Sequence, residues 1–249
     1  MPMPDYCRLP AALLWDMDGT IVDSEGLWWQ SFEHLCGVYG GRVSPSMATE
    51  LRGASMEQTA ELIARCGVGK EDIPAVLDQM IAYVGNGLAT DPILISSAVS
   101  WIDQGKTYGV PQALVSASPL SLLEATSMTM GHPFHTLVGH GDTLRSKPSP
   151  DPYVEAMRRL GVPAGECLAL EDSLTGVRAA AGSGAWVIAV GPGVESLRTE
   201  VIRPGGGCSF ALTRYSRVIH CHTLMDLGSM SRAWQAIRHY VAAEVAVAS

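Results

Sequence analysis

The sequence predicts an α/β protein: a doubly wound, parallel-sheet core with an all-helical unit inserted into it. Three observations predict it. From about residue 93 onward, short apolar runs that stop at polar turns alternate with helical stretches, which is the rhythm of a parallel sheet covered on both faces. One more such run, residues 11–15, stands far upstream. Between them, residues 24–88 read as helix after helix with no convincing strand, as an insertion after the first strand would. The expected partition is residues 1–22 and 90–249 for the core and 23–89 for the insertion.

The elements follow in order. Residues 11–15 are short and apolar and end at a polar turn, so they read as a buried strand. Trp28, Phe32, Leu35, Cys36 and Tyr39 recur at spacings of three and four, and Gly40-Gly41 ends that helix. Ser55 followed by Gln58 reads as a capping pair, with Gly67 as the stop. Ile73, Leu77, Met80, Ile81 and Val84 form a third helical stripe. Gly85–Pro92, rich in turn formers, reads as a flexible return to the core. Then come a helix around Trp101, a strand at Ala113–Ser118, a helix over 119–130 and a strand in "HTLVGHGD". "DPYVEAMRRLG" reads as a helix with Asp151 as N-cap and Pro152 at the first helical position. "CLALEDS" and "AWVIAVGPG" supply two more strands, "SRVIHC" a last edge strand, and the tail a closing helix.

The chain has 249 residues, 47% of them hydrophobic, enough to bury a sizeable core. Its net charge of −8 disfavours nucleic acid and anionic membrane, both of which need a basic face. No apolar run approaches the ~20 residues of a membrane span, and no signal peptide is evident, so a cytoplasmic protein is expected. Six scattered cysteines without a CxxC pair fit reduced thiols. In His220-Cys221-His222, alternation on a strand separates the Cys from the two His, which argues against a metal site.

Ligands of such sheets bind beyond the carboxyl ends of the strands. There the first strand ends in Asp16 and Asp18, the second in Ser116 and Ser118, and "CLAL" in Glu171 and Asp172. Lys147 stands in the turn before the Asp151 helix. Clustered carboxylates need a cation, and hard oxygen ligands suit Mg²⁺. Small hydroxyls, backbone N–H groups and one lysine make an anion cradle. A carboxylate can act as nucleophile on phosphorus, and a second one nearby as general acid and base.

These segments resemble the haloacid dehalogenase superfamily, in the branch with a helical cap inserted after the first motif. "DMDGT" matches DxDGT, "VSAS" the second motif, "SKPSPDPY" the third, and "LEDSLTGVRAAAGSG" the acidic fourth. The resemblance covers roughly residues 10–193 and implies a Rossmann-like core with a cap domain. It implies Asp16 as nucleophile and Mg²⁺ ligand, and Asp18 as acid/base lending its backbone carbonyl to the metal. Asp172 would be the second side-chain ligand, with Glu171 at or near the metal. Ser116, the N–H of Ala117 and Lys147 would hold the phosphoryl group of a small phosphorylated metabolite, and Gly19 and Thr20 would shape the turn. In the cap, Arg52 of "ELRGASMEQ" would reach the distal part of the substrate.

The implied reaction is a Mg²⁺-dependent phosphatase acting on a small phosphomonoester, a sugar phosphate or similar metabolite. The alternative is a sugar phosphomutase of the β-phosphoglucomutase type. Such mutases carry a His about twelve residues after the nucleophile; here that position is Trp28, which relays no proton but can stack on a ring or sugar face. Trp28 and Trp29 are adjacent on one helix, so one is expected in the core and the other in the cleft. Dehalogenases lack the second acid of the first motif, which Asp18 supplies. A retired, purely binding version of the fold would have lost one of these groups, and none is missing.

Overall fold

The computed structural model describes residues 9–202, 210–213, 218–221 and 223–247. At the centre of its sheet lies β1 (Ala12–Trp15), between β2 (Gln112–Pro119) and β4 (Cys167–Glu171). Beyond β2 comes β3 (Thr136–His140), and beyond β4 comes β5 (Trp186–Val190). β8 (Val218–Cys221) continues in parallel beside β5. β7 (Phe210–Thr213) and β6 (Arg198–Ile202) extend the sheet antiparallel, giving the order β3-β2-β1-β4-β5-β8-β7-β6.

The central strands are buried on both faces, which is why they read as unbroken apolar runs. Leu13 and Trp15 of β1 join Leu168, Leu170 and Ile188 on one face; Ala12 and Leu14 join Ala169 and Val187 on the other. The first face is covered by α5 (Ser96–Tyr108), α6 (Leu120–Thr129) and α9 (Met230–Val247). α7 (Asp151–Leu160) and α8 (Leu174–Gly182) cover the second. The sheet is therefore doubly wound.

Four helices lie between β1 and α5: α1 (Glu25–Val38), α2 (Met47–Leu51), α3 (Met56–Arg65) and α4 (Ile73–Thr90). They enclose a separate apolar cluster that includes Phe32, Leu35, Leu62, Ile63, Val76 and Met80. The capping pair at the start of α3 is reciprocal: Ser55 Oγ accepts the Gln58 N–H at 3.3 Å, and the Gln58 side chain accepts the Ser55 N–H at 2.9 Å. The chain enters and leaves this bundle through adjacent segments. The Asp23 N–H donates to the Ile93 carbonyl at 2.9 Å and the Ile95 N–H to that of Ile21 at 2.8 Å.

Three of the expected secondary-structure features differ in the structure. Gly85–Pro92 is not a flexible return, because α4 runs through it to Thr90. Its glycines serve close approach: a Cβ on Gly87 would lie 2.6 Å from Leu27 Cδ1, and one on Gly85 3.2 Å from Leu122 Cδ2. Asp151 is the first helical residue of α7 and Pro150 its cap, with Pro152 inside the first turn. "SRVIHC" is no edge, since β8 pairs on both sides.

Among the described residues no helix is long and apolar enough to cross a membrane. Cys36, Cys66, Cys167 and Cys221 are free and buried. Cys7, Cys208 and His222 lie outside the described residues.

Candidate active site

The strand-end groups converge on one cavity of about 270 Å³ between the carboxyl edge of the sheet and the helical insertion. Asp16, Asp18, Ser116, Ala117, Lys147 and Asp172 all line it. The first five are brought together by β1, β2 and the loop before α7, and Asp172 by the end of β4.

Lys147 is the hub. Its ammonium donates to Asp16 Oδ1 at 2.7 Å, to Glu171 Oε1 at 2.6 Å and to the Val115 carbonyl at 2.9 Å. Burial pulls its pKa down, but Asp16 and Glu171 outweigh that and hold it above the ordinary lysine value. Asp16 is raised from 3.8 to about 7, first by burial, then by Glu171, with Lys147 opposing. Asp172 is likewise pushed well above the carboxylate range by burial and by Asp16 and Glu171.

Asp16, Glu171 and Asp172 offer one oxygen each within 4.8 Å of one another. Asp16 Oδ2 is buried and has no hydrogen-bond partner. Three hard oxygen donors, two of them (Asp16 and Asp172) raised by burial and neighbouring carboxylates and one orphaned, fit a divalent cation of the Mg²⁺ type. Gly19 lets the site close: at φ +84°, a Cβ there would stand 2.1 Å from Asp172 Oδ2.

Asp18 sits apart from that cluster and is held by four donors. Ser24 Oγ at 2.5 Å and Trp28 Nε1 at 3.1 Å reach Oδ1. Ser116 Oγ at 3.1 Å and Ser118 Oγ at 2.8 Å reach Oδ2. The Ser24 and Trp28 contacts reach Asp18 from the insertion and its entry segment, and no motif in the sequence announces them. Tyr153 is a further addition to the expected site: its hydroxyl donates to Glu171 and its ring lies 5.1 Å from the Lys147 ammonium. Its signal was present: Tyr153 follows Lys147 by six residues, on the buried face of α7.

Both tryptophans line the cavity, against the expectation that they would divide between core and cleft. Neighbours on a helix diverge by only ~100°, and the cavity wraps that arc; Trp29 also stacks on Phe32 at 6.0 Å between centroids. Arg52 lines the mouth, ion-paired with Glu25 at 2.6 Å. Glu171 lies behind the cavity, fully buried, bound by Lys147 and Tyr153.

The model of the haloacid dehalogenase-like hydrolase family matches residues 13–190. A bifunctional riboflavin kinase/FMN phosphatase from Arabidopsis thaliana is 30% identical over 189 residues, which are 74% of this chain but 49% of that one. The chain thus spans about half the length of that relative. Fructose-1-phosphate phosphatase YqaB from Escherichia coli is 27% identical over 179 residues, 70% of this chain and 93% of that one. The crystal structure of CbbY from Rhodobacter sphaeroides in complex with phosphate superposes with a TM-score of 0.75. It is 24% identical and covers 90% of this chain and 99% of that one, a likeness of fold.

Proposed function

The chain belongs to the haloacid dehalogenase-like hydrolases, and on that premise we propose that it is a Mg²⁺-dependent phosphatase of a small phosphomonoester. The observation that carries the reading is the buried, unpartnered Asp16 Oδ2 inside a three-carboxylate cluster, two members of which, Asp16 and Asp172, line the cavity with Lys147. Two relatives named as phosphatases, acting on FMN and on fructose 1-phosphate, support the reaction class while differing in the alcohol.

In this reading Asp16, Asp172 and the backbone carbonyl of Asp18 would hold Mg²⁺, with Glu171 close by. Bound there, the cation neutralises the carboxylates and the phosphoryl oxygens. Ser116, the Ala117 N–H and Lys147 orient the phosphoryl group. An Asp16 oxygen attacks phosphorus and the ester oxygen leaves, taking a proton from Asp18. Water then attacks the aspartyl-phosphate, Asp18 takes its proton, and Asp16 and inorganic phosphate are released. The four donors around Asp18 fix it between its two duties. The scattered, free, buried cysteines support a reducing, cytoplasmic setting.

The mutase alternative has less support. Trp28 stands where those enzymes carry His, and its indole N–H is bound to Asp18. The test is phosphate release from a panel of phosphomonoesters with Mg²⁺ and with chelator, alongside a check for isomerised sugar phosphates. Mg²⁺-dependent release that drops about 10²–10⁴-fold in Asp18→Asn is expected. Isomerisation without release would replace hydrolase by mutase.

A further inference from the structure

We infer that the alcohol portion of the substrate is apolar and carries no second charge: a monophosphate ester of a hydrocarbon-rich alcohol or a phenol, not of a polyol. The inference rests on the phosphatase reading above and departs from its sugar-phosphate expectation.

The wall of the cavity away from the phosphate end is built from Trp28, Trp29, Leu51, Ala54 and Met56. Polar side chains on that wall are already committed to other groups of the protein. Ser24 and the Trp28 indole donate to Asp18. The Thr59 hydroxyl donates to the Ser55 carbonyl at 2.9 Å. Ser173 Oγ accepts the Gly176 N–H at 3.1 Å and caps α8. At the mouth, the Arg52 charge is matched by Glu25, so a second phosphate would meet an anion together with the cation.

Among the described residues, then, this wall presents mostly aromatic and aliphatic surface; its hydroxyl and indole donors are committed, and the polar groups left for a ligand stand at the rim, the remaining N–H groups of Arg52 and the Glu25 carboxylate. A polyol hydroxyl placed against the Trp28, Trp29, Leu51 and Met56 surface, away from that rim, would give up water without regaining a partner, and each unpaired group weakens binding by about tenfold or more. A methylene chain or an aromatic ring meets no such cost. Size sets the other limit. The cavity of about 270 Å³ falls just under the ~300–1,000 Å³ of sites for drug-sized ligands, which suits a phosphate with one ring or a short chain.

The experiment uses the full chain with Mg²⁺ and two readouts. The first is kcat/KM for n-butyl phosphate and glycerol 3-phosphate, both with aliphatic leaving groups, together with phenyl phosphate and glucose 6-phosphate. The second is the Kd of n-butylphosphonate against 2,3-dihydroxypropylphosphonate, read by calorimetry, which needs no turnover. The butyl and phenyl compounds are expected to exceed the polyols tenfold or more in both. Met56→Gln, which adds a donor to the wall, is expected to narrow the butyl-to-glycerol ratio at least threefold. Turnover with equal or better kcat/KM for the polyol esters overturns the inference and leaves the phosphatase standing. Preferential butylphosphonate binding without any turnover supports the apolar chamber and overturns the phosphatase. Equal or absent binding of the two phosphonates overturns the inference.

Discussion

Replacing Asp16 by Asn separates what the cluster costs the fold from what it gives to chemistry. In the metal-free protein the Asp16 carboxyl is raised from 3.8 to about 7 by burial and by Glu171, net of the opposing pull of Lys147. A raised folded-state pKa means stability that is fully present below the unfolded value and lost as pH rises through the folded one. Between 3.8 and about 7 the difference is roughly 3 pH intervals at about 1.4 kcal/mol each, so ionised Asp16 destabilises the metal-free fold by on the order of 4 kcal/mol at pH 8. Asn carries no such charge and its Oδ1 can still accept from Lys147. In chelator, Asp16→Asn should therefore match the parent near pH 4 and become progressively more stable than it up to pH 8. For a chain of this length that is about 8–16 °C in Tm. Thermal unfolding followed by circular dichroism at pH 4.5 and pH 8, with EDTA and with Mg²⁺, measures it. Mg²⁺ should stabilise the parent more than the variant, and the variant should lose turnover by at least about 10³-fold. A variant no more stable than the parent at pH 8 in EDTA would refute the electrostatic account of the cluster. Retained turnover would refute Asp16 as nucleophile.

Lys147→Met leaves Asp16 and Glu171 without the cation that bridges them; about 3–5 kcal/mol of stability should be lost in chelator at pH 8, and less with Mg²⁺, as urea midpoints would show. Gly176→Ala would place a Cβ about 2 Å from the Glu171 carboxylate, so it should weaken Mg²⁺ binding by calorimetry and lower Tm; an unchanged Mg²⁺ affinity would count against Glu171 lying beside the metal. Ser55→Ala removes the reciprocal cap of α3 and should cost about 1 kcal/mol in urea unfolding, a loss absent if the cap contributes nothing.

The convergence of the site was legible because its carriers announce themselves. An apolar run that ends in Asp16 and Asp18 is conspicuous, since buried charge needs a purpose. Lys147 is 131 residues from Asp16, and only the order of the four motifs tied them together. Tyr153 escaped because an aromatic on a helix face usually means packing; its hydroxyl acquires a role only once Glu171 is seen beneath it. In the sequence Gly85 and Gly87 read as turn formers, because glycine is the residue of both turns and close contacts. Their partners, Leu122 and Leu27, are supplied by α6 and α1 rather than by neighbours in sequence. β8 reads as an edge for the same reason: what makes a strand internal is the strand that comes to lie beside it.

The continuation of α4 through those glycines changes how the molecule comes apart. Met80 belongs to the apolar cluster of the insertion, while Val84, one helical turn later, belongs to the cluster under the sheet. A single rigid rod thus has one end in each hydrophobic core. Melting either core would fray the helix on which the other depends, so calorimetry should show one unfolding transition for the two units rather than two. Cooperativity of this kind makes a single midpoint a legitimate measure for the whole chain. It also means that a substitution made deep in the insertion registers in the stability of the catalytic sheet.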